Sequence, residues 1–436
     1  MEHQKFSYDS LSALRADCAA RGIRLPLSEN LGLLAQGMTV ENYALPNRLC
    51  VQPMEGCDGT TDGRPDELTL RRYHRFAAGG AGLIWVEATA VVPEGRANPR
   101  QLLLNEQTAD AFKALVQDIR ETALRENGIQ PLLILQLTHS GRYSKPQGKP
   151  APLIARNNPL FEKDAPLSAD CILSDDALAA LPERYAAAAR LAEKVGFDGA
   201  DVKSCHGYLL NELLAAHTRP GRCGGSLENR SRLFLEAFEA VRAATAFLVT
   251  SRMSLFDGFP HPYGWGTATD ICTPDMTEPL RLIEQLIARG LTLLDCTIGN
   301  PYVNPHVNRP FDNGFYTPPE HPLEGLARMA DCVAAVKKHF PQLCVVGSGY
   351  SYLRQFSPHF AAGMLENNEA DIAGFGRMGF AYPDFAKDIL GGALDAKKCC
   401  LSCGKCSEIM RGGGQAGCVP RDAGVYAGIH RAATAK

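Results

Sequence analysis

The feature that most limits what this chain can fold into is an alternation repeated eight times: a short apolar run, a turn, a stretch of helical periodicity, then the next apolar run. The apolar runs lie at Leu49 to Pro53, Gly82 to Ala88, Leu132 to Leu137, Gly199 to Ser204, Leu248 to Leu255, Thr292 to Ile298, Leu343 to Gly347 and Asp371 to Gly376. Between them, spacings such as Phe112, Leu115, Val116, Ile119 and Leu280, Ile283, Ile287 put apolar side chains on one helix face, and Gly290 closes the second of these helices. Strands that are apolar nearly throughout are buried on both faces, as in a parallel sheet wrapped by helices. The expected fold is α/β, a (β/α)8 TIM barrel, with a doubly wound open sheet as the alternative. The expected division is an N-terminal extension over 1–46, a barrel over 47–395 and a cysteine-bearing segment over 396–436.

Lys and Arg number 45 against 48 Asp and Glu, so no basic excess points to nucleic acid. No apolar run approaches the roughly 18 residues a membrane helix needs. The start, Met1-Glu-His-Gln-Lys-Phe-Ser, lacks the apolar core and cleavage site of a secretory signal, so a cytoplasmic location is expected. The amphipathic stretch Leu11 to Ala20, flanked by breakers, suggests a flap over one end of the barrel.

A barrel carries its chemistry at the C-terminal tips of its strands. The tips here deliver Met54-Glu55, Glu87, Gln136 with His139 to Arg142, then Lys203, His206 and Tyr208, Arg252, Asn300, Gly347-Ser348-Gly349 and Gly376-Arg377. Lys203, His206 and Tyr208 offer a cation, a base and a phenol within six residues, as acid and base work requires. The two glycine turns can present backbone N–H groups to a phosphate, or can simply be tight turns. Gly374-Phe-Gly-Arg-Met-Gly379 fits a dinucleotide fingerprint literally, but it closes the alternation where that fingerprint should open a βαβ unit. Arg252, on an apolar strand, needs an anion: either a reduced flavin or an acid on a neighbouring strand.

Of 15 cysteines, ten are scattered singly from Cys18 to Cys344, as buried reduced thiols would be. The rest fall between Cys399 and Cys418. Cys400, Cys403 and Cys406 at C-x2-C-x2-C, with eleven residues between Cys406 and Cys418, suit a [4Fe-4S] cluster. Zinc is the alternative, although its ribbons prefer two separated pairs. Cys399 competes with Cys400 for the first position, and Gly412 to Gly414 allow the return to Cys418.

These residues together resemble the old yellow enzyme-like flavin oxidoreductases, in particular the iron-sulfur branch with 2,4-dienoyl-CoA reductase and trimethylamine dehydrogenase. The resemblance runs from Leu45 to Asp422. It rests on Asn47-Arg-Leu-Cys-Val-Gln-Pro-Met54, Gly79-Gly-Ala-Gly-Leu-Ile-Trp-Val-Glu-Ala88 and Gln136-Leu-Thr-His-Ser-Gly-Arg-Tyr-Ser144, and on His206-Gly-Tyr-Leu-Leu-Asn-Glu-Leu-Leu214, Gly224-Gly-Ser-Leu-Glu-Asn-Arg230, the glycine turns and the cysteines. It implies FMN at the barrel mouth, with Pro53, Met54, Ala88 and Gln136 against the ring, Glu55 beside it and Arg252 at its N1 and O2 edge. Gly347, Ser348, Gly349, Gly376 and Arg377 would hold the phosphate. Tyr208 matches the family's proton donor, and Lys203 and His206 occupy the positions that hydrogen-bond a substrate carbonyl, which lets enolate charge develop.

The implied activity is an ene-reductase, with hydride from flavin N5 and a proton from Tyr208 added across the C=C bond of an unsaturated carbonyl or carboxyl compound. The alternatives are oxidative demethylation of an amine, caged by Tyr143, Tyr208, Trp265 and Tyr302, or a non-catalytic electron-transfer subunit. Two positions depart from the family pattern: Lys203 stands where His is usual, and Glu55 where a small polar residue or Cys is usual. Longer relatives continue past the cluster, so electrons are expected from a separate ferredoxin-like or NADH-oxidising protein, or directly from NAD(P)H; self-association into a homo-oligomer is also allowed. Anaerobic metabolism suits an exposed cluster. The loops Trp265 to Thr273 and Asn300 to Tyr316, with Tyr302, His306 and Arg309, are expected to shape substrate choice.

Overall fold

The computed structural model describes residues 2–268 and 273–435. After a helix over Leu11–Ala20 comes a short hairpin, β1 Met38–Val40 antiparallel to β2 Tyr43–Leu45. All eight expected runs then form the strands of one closed parallel barrel. They are β3 Leu49–Val51, β4 Leu83–Ala90, β5 Leu132–Thr138, β6 Gly199–Val202, β7 Leu248–Ser254, β8 Leu293–Thr297, β9 Cys344–Gly347 and β10 Ile372–Phe375. β10 pairs with β3 through Ala373–Leu49 and Phe375–Val51, which closes the cylinder and excludes the open sheet.

Alternation along each strand divides the apolar residues between two cores. Leu83, Trp85, Leu132 and Ile134 pack inside the barrel with Val40 and Leu45, so the hairpin plugs the N-terminal end. Ile84, Val86, Leu133 and Leu135 face the helices and pack in the core that holds Phe112, Leu115 and Ile119. Burial of each such side chain contributes about 1.5–3 kcal/mol. Towards the mouth the lumen turns polar. Asp201 accepts hydrogen bonds from Trp85 Nε1 at 2.9 Å, Gln136 Nε2 at 2.6 Å and the Arg252 backbone at 2.7 Å, and Gln52 Nε2 donates to Asp295 at 3.0 Å.

The cysteine segment folds as a loop and two helices, Lys405–Arg411 and Ala423–Thr434. It is fastened to the first strand-to-helix loop, because Ala416 N donates to Gly56 O at 2.6 Å. Asp422 in turn pairs with Arg71 at 2.7 Å and Arg75 at 2.8 Å on the helix Glu67–Ala78. Among the described residues no helix is long and apolar enough to cross a membrane.

Candidate active site

After β6 the chain turns through His206 and Gly207, at φ 66° and 71°, before the helix Leu209–Leu214. A Cβ on Gly207 would strike the Asn300 side-chain amide, so glycine is required there. The turn is pinned by Leu209 N donating to His139 O at 3.1 Å and by Gly207 N donating to Asn211 Oδ1 at 2.6 Å. It aims Tyr208 into the mouth. There the phenol donates to Glu55 Oε1 at 2.8 Å and lies 2.9 Å from the Tyr302 hydroxyl. Tyr143 stacks on Tyr302 with ring centroids 3.8 Å apart. Asn300 sets both rings, donating to the Tyr143 hydroxyl and accepting from Tyr302 N, each at 2.9 Å.

Lys203 Nζ sits 3.8 Å from the Tyr208 ring centroid and 3.5 Å from Glu55 Oε1. Burial, and next the negative charge of Glu55, push the Tyr208 phenol well above its ordinary range, so it stays protonated. Burial, with Arg252, Lys203 and Arg309 adding positive charge, holds His206 well below its ordinary range and keeps its imidazole neutral. Asn308 Nδ2 lies 3.3 Å from His206 Nε2 and donates to Ile298 O at 2.8 Å. The loop carrying Glu55 is held from beneath: Glu87 accepts from Gly56 N at 2.8 Å and from Arg72 at 2.7 Å, and Arg72 also binds Asp58 at 2.7 Å.

These groups open onto a cleft with about 1820 Å³ of atom-free space. Of the expected residues, Pro53, Met54, Glu55, Lys203, His206, Tyr208 and Arg377 line it. The others lie beneath or beside these. Gly376 abuts Met54, since a Cβ there would come within 3.0 Å of its sulfur. Ser348 Oγ accepts from Gln52 at 3.1 Å, and Gln52 donates to Asp295, whose carboxylate pairs with Arg252 Nε at 3.0 Å. Thus Arg252 does have an acid on a neighbouring strand. Gln136 is spent on Asp201, Ala88 is buried beside the β4 bulge between Val86 and Thr89, and Gly347 and Gly349 flank Ser348 in the turn after β9.

Trp265 does not join the phenols; it is fully buried and its Nε1 donates to Ser254 O at 2.9 Å. His306 is bonded to Tyr316 and does not line the cleft. Residues 269–272 of the Trp265 to Thr273 loop lie outside the described residues. Residues that sequence reasoning missed also form the wall: Asn98, Lys145, Ser407, Met410 and Arg411. Only the nearness of the last three to Cys406 could have flagged them.

Unpartnered polar atoms at the strand ends suit a flavin. Gln52 Oε1, Thr138 Oγ1 and Ser204 Oγ are buried with no hydrogen-bond partner in the protein, and a ring rich in donors and acceptors would satisfy such atoms. Beside the cleft, Cys400, Cys403, Cys406 and Cys418 line one cavity with about 370 Å³ of atom-free space. Cys399 is not part of that lining; its thiol points to Asp395 O at 3.6 Å. Arg377, Phe380 and Cys406 belong to both the cavity and the cleft, so the two share a wall. Among the described residues no three His, Cys, Asp or Glu side chains converge as the ligands of a single ion would.

Comparison with known proteins finds likeness in sequence and in fold. The NADPH dehydrogenase of Clostridium acetobutylicum is 31% identical over 211 residues, which cover 48% of this chain and 59% of that protein. A 2-naphthoyl-CoA reductase in complex with 2-naphthoyl-CoA superposes with TM-score 0.69 at 19% identity, over 86% of this chain and 54% of that one. Histamine dehydrogenase from Rhizobium sp. 4-9 superposes with TM-score 0.67 at 21% identity, over 88% and 50%. At such identities the structural likeness speaks for the fold alone, and the chain spans about half the length of these proteins. Residues 34–268 match the sequence pattern of the NADH:flavin oxidoreductase / NADH oxidase family. The chain therefore belongs to this family of old yellow enzyme-like, FMN-dependent oxidoreductases.

Proposed function

We propose that this protein is an ene-reductase that saturates the C=C bond of an α,β-unsaturated carbonyl or carboxyl compound. The observation that carries the reading is the Tyr208 hydroxyl, held 2.8 Å from Glu55 and 2.9 Å from Tyr302 at the edge of the cleft. Pro53 and Met54 would contact the ring of FMN and Arg377 its phosphate, and the bound cofactor would supply the hydride. The neutral imidazole of His206 and the ammonium of Lys203 hydrogen-bond the carbonyl oxygen and stabilise the charge that develops there. Tyr208, still a phenol, donates the proton to carbon. Names of relatives such as NADPH dehydrogenase support a nicotinamide as one source of electrons.

The four thiols that ring one cavity support a [4Fe-4S] cluster held by Cys400, Cys403, Cys406 and Cys418. Zinc suits the site less well, because its sulfurs must all lie about 2.3 Å from one centre. The wall shared with the cleft supports passage of electrons from an external donor protein through the cluster.

Amine oxidation, the second reading, draws on the stacked phenols, but Lys203 already occupies the Tyr208 face that an amine cation would use. The protein purified and assayed without oxygen decides between them. With reduced viologen as donor, consumption of enones or enoates and none of methylated amines is expected. Turnover of the amines alone, or of nothing at full flavin occupancy, refutes the ene-reductase.

A further inference from the structure

The cleft is far more positive than the protein around it. The whole chain has a net charge of -3, yet the cleft is lined by Lys145, Lys203, Arg309, Arg377 and Arg411 against one carboxylate, Glu55, and the thiol of Cys406. Elsewhere, several interior arginines carry carboxylates: Arg72 has Asp58 and Glu87, Arg142 has Glu162 and Glu212, and Arg230 has Glu278, whereas Arg96 and Arg156 donate to neutral oxygens. Among the described residues Arg309 and Arg377, and Arg411 on the exposed side of the cleft, make hydrogen bonds or ring contacts to neutral groups and no ion pair with a carboxylate. Arg309 donates to Ser407 Oγ at 2.8 Å and Asn308 Oδ1 at 3.2 Å. Arg377 donates to Pro310 O at 3.0 Å, and Arg411 lies 3.9 Å from the Phe315 ring centroid. Glu408, on the same helix as Arg411, is bonded to His430.

Like charges gathered in one cleft without counterions repel each other, and an arriving anion relieves that repulsion. FMN, under the reading above, brings a phosphate for Arg377. Arg309 and Arg411 remain; both line the cleft and neither lines the cysteine cavity. The same cleft is also lined by apolar or aromatic side chains, among them Met410, Pro301 and Tyr302. We propose that Arg309 and Arg411 form an oxyanion subsite at the cleft wall, so that the substrate is an unsaturated compound bearing a carboxylate or phosphoryl group away from the reacting bond.

This rests on the ene-reductase reading for the word substrate, though not for the binding itself. The test compares a neutral cyclic enone, the same ring with an appended carboxylate, and the coenzyme A thioester of that acid, in wild type, Arg309→Gln and Arg411→Ala holoenzymes. Loss of one charge-assisted hydrogen bond corresponds to about 10- to 100-fold. The ratio of kcat/KM for charged over neutral substrate should fall by that factor in each variant, through KM, and raised salt should shrink the wild-type ratio. A fall for the carboxylate identifies a carboxylate site, and one confined to the thioester a phosphoryl site. Unaltered ratios, or loss of FMN from the variants with no change in discrimination, overturn the proposal. Should wild type turn over none of the three, the ene-reductase reading fails, and titration of the flavin absorbance with the saturated carboxylate still reads the subsite. Binding at least tenfold weaker in the variants than in wild type supports it; equal binding overturns it.

Discussion

The Tyr208 hydroxyl donates to Glu55 across 2.8 Å although 153 positions separate the two residues in sequence. Glu55 also stands 3.5 Å from Lys203, and both of these side chains are nearly buried. The departures from the family pattern at Glu55 and Lys203 are therefore one feature, a charge pair that shares the phenol.

Removing one member should be worse than removing both. Glu55→Ala leaves the Lys203 ammonium buried without an anion, at a cost on the order of 3 kcal/mol. Glu55→Ala with Lys203→Met should cost clearly less than the two single changes summed. Denaturant unfolding of the four proteins measures the difference; additive losses would show that the pair is not coupled.

Tyr208→Phe should retain FMN and its reduction by the electron donor but slow reoxidation by enone by about 100- to 10,000-fold. Tyr302, with 39% of its surface exposed, connects that phenol to solvent. Tyr302→Phe should slow the same half-reaction less, on the order of tenfold, and change its solvent isotope effect. Rapid mixing of prereduced protein with enone reads both; an unaltered isotope effect removes Tyr302 from the proton path.

Because the pKa of His206 is depressed well below its ordinary value, the imidazole is neutral on both sides of pH 6.5. Protonation should begin only in more acidic solution, so kcat/KM should show no limb between pH 6 and 8 that His206→Asn abolishes. A limb in that window, lost in the variant, contradicts the assignment.

Cys400→Ser should reduce the iron bound per chain and bleach the cluster absorbance, whereas Cys399→Ser should leave both near wild type. Cys399 lies outside the cavity lining, which includes Cys400, Cys403, Cys406 and Cys418. Iron analysis of protein purified without oxygen distinguishes the two; the opposite pattern would exchange their roles.

The barrel was legible because burial on both faces leaves its mark on every strand, and even β3, with three residues, was bounded by Arg48 and the polar tip after Pro53. Tyr208, His206 and Lys203 were legible for a related reason, since one strand end supplies all of them. What joins distant segments was not legible. Asp201 and Asp295 each sit alone within an apolar strand, and nothing local reveals that Trp85, Gln136 or Gln52 will meet them across the lumen. Arg252 had two open partners in sequence, and only the β7–β8 register, which sets it opposite Asp295, supplied one of them. Arg411 was invisible as a cleft residue because its place depends on how the cysteine segment docks, through Ala416 and Asp422, onto the barrel.

The most direct test of the whole account is a single turnover in deuterium oxide, with the protein reduced beforehand in the absence of oxygen and one equivalent of an unsaturated carbonyl compound added. The account predicts flavin reoxidation, with deuterium entering the product at the carbon next to the carbonyl and a far slower reaction in Tyr208→Phe. A flavin that stays reduced with every such compound, yet is reduced from its oxidised form by a methylated amine, would contradict it.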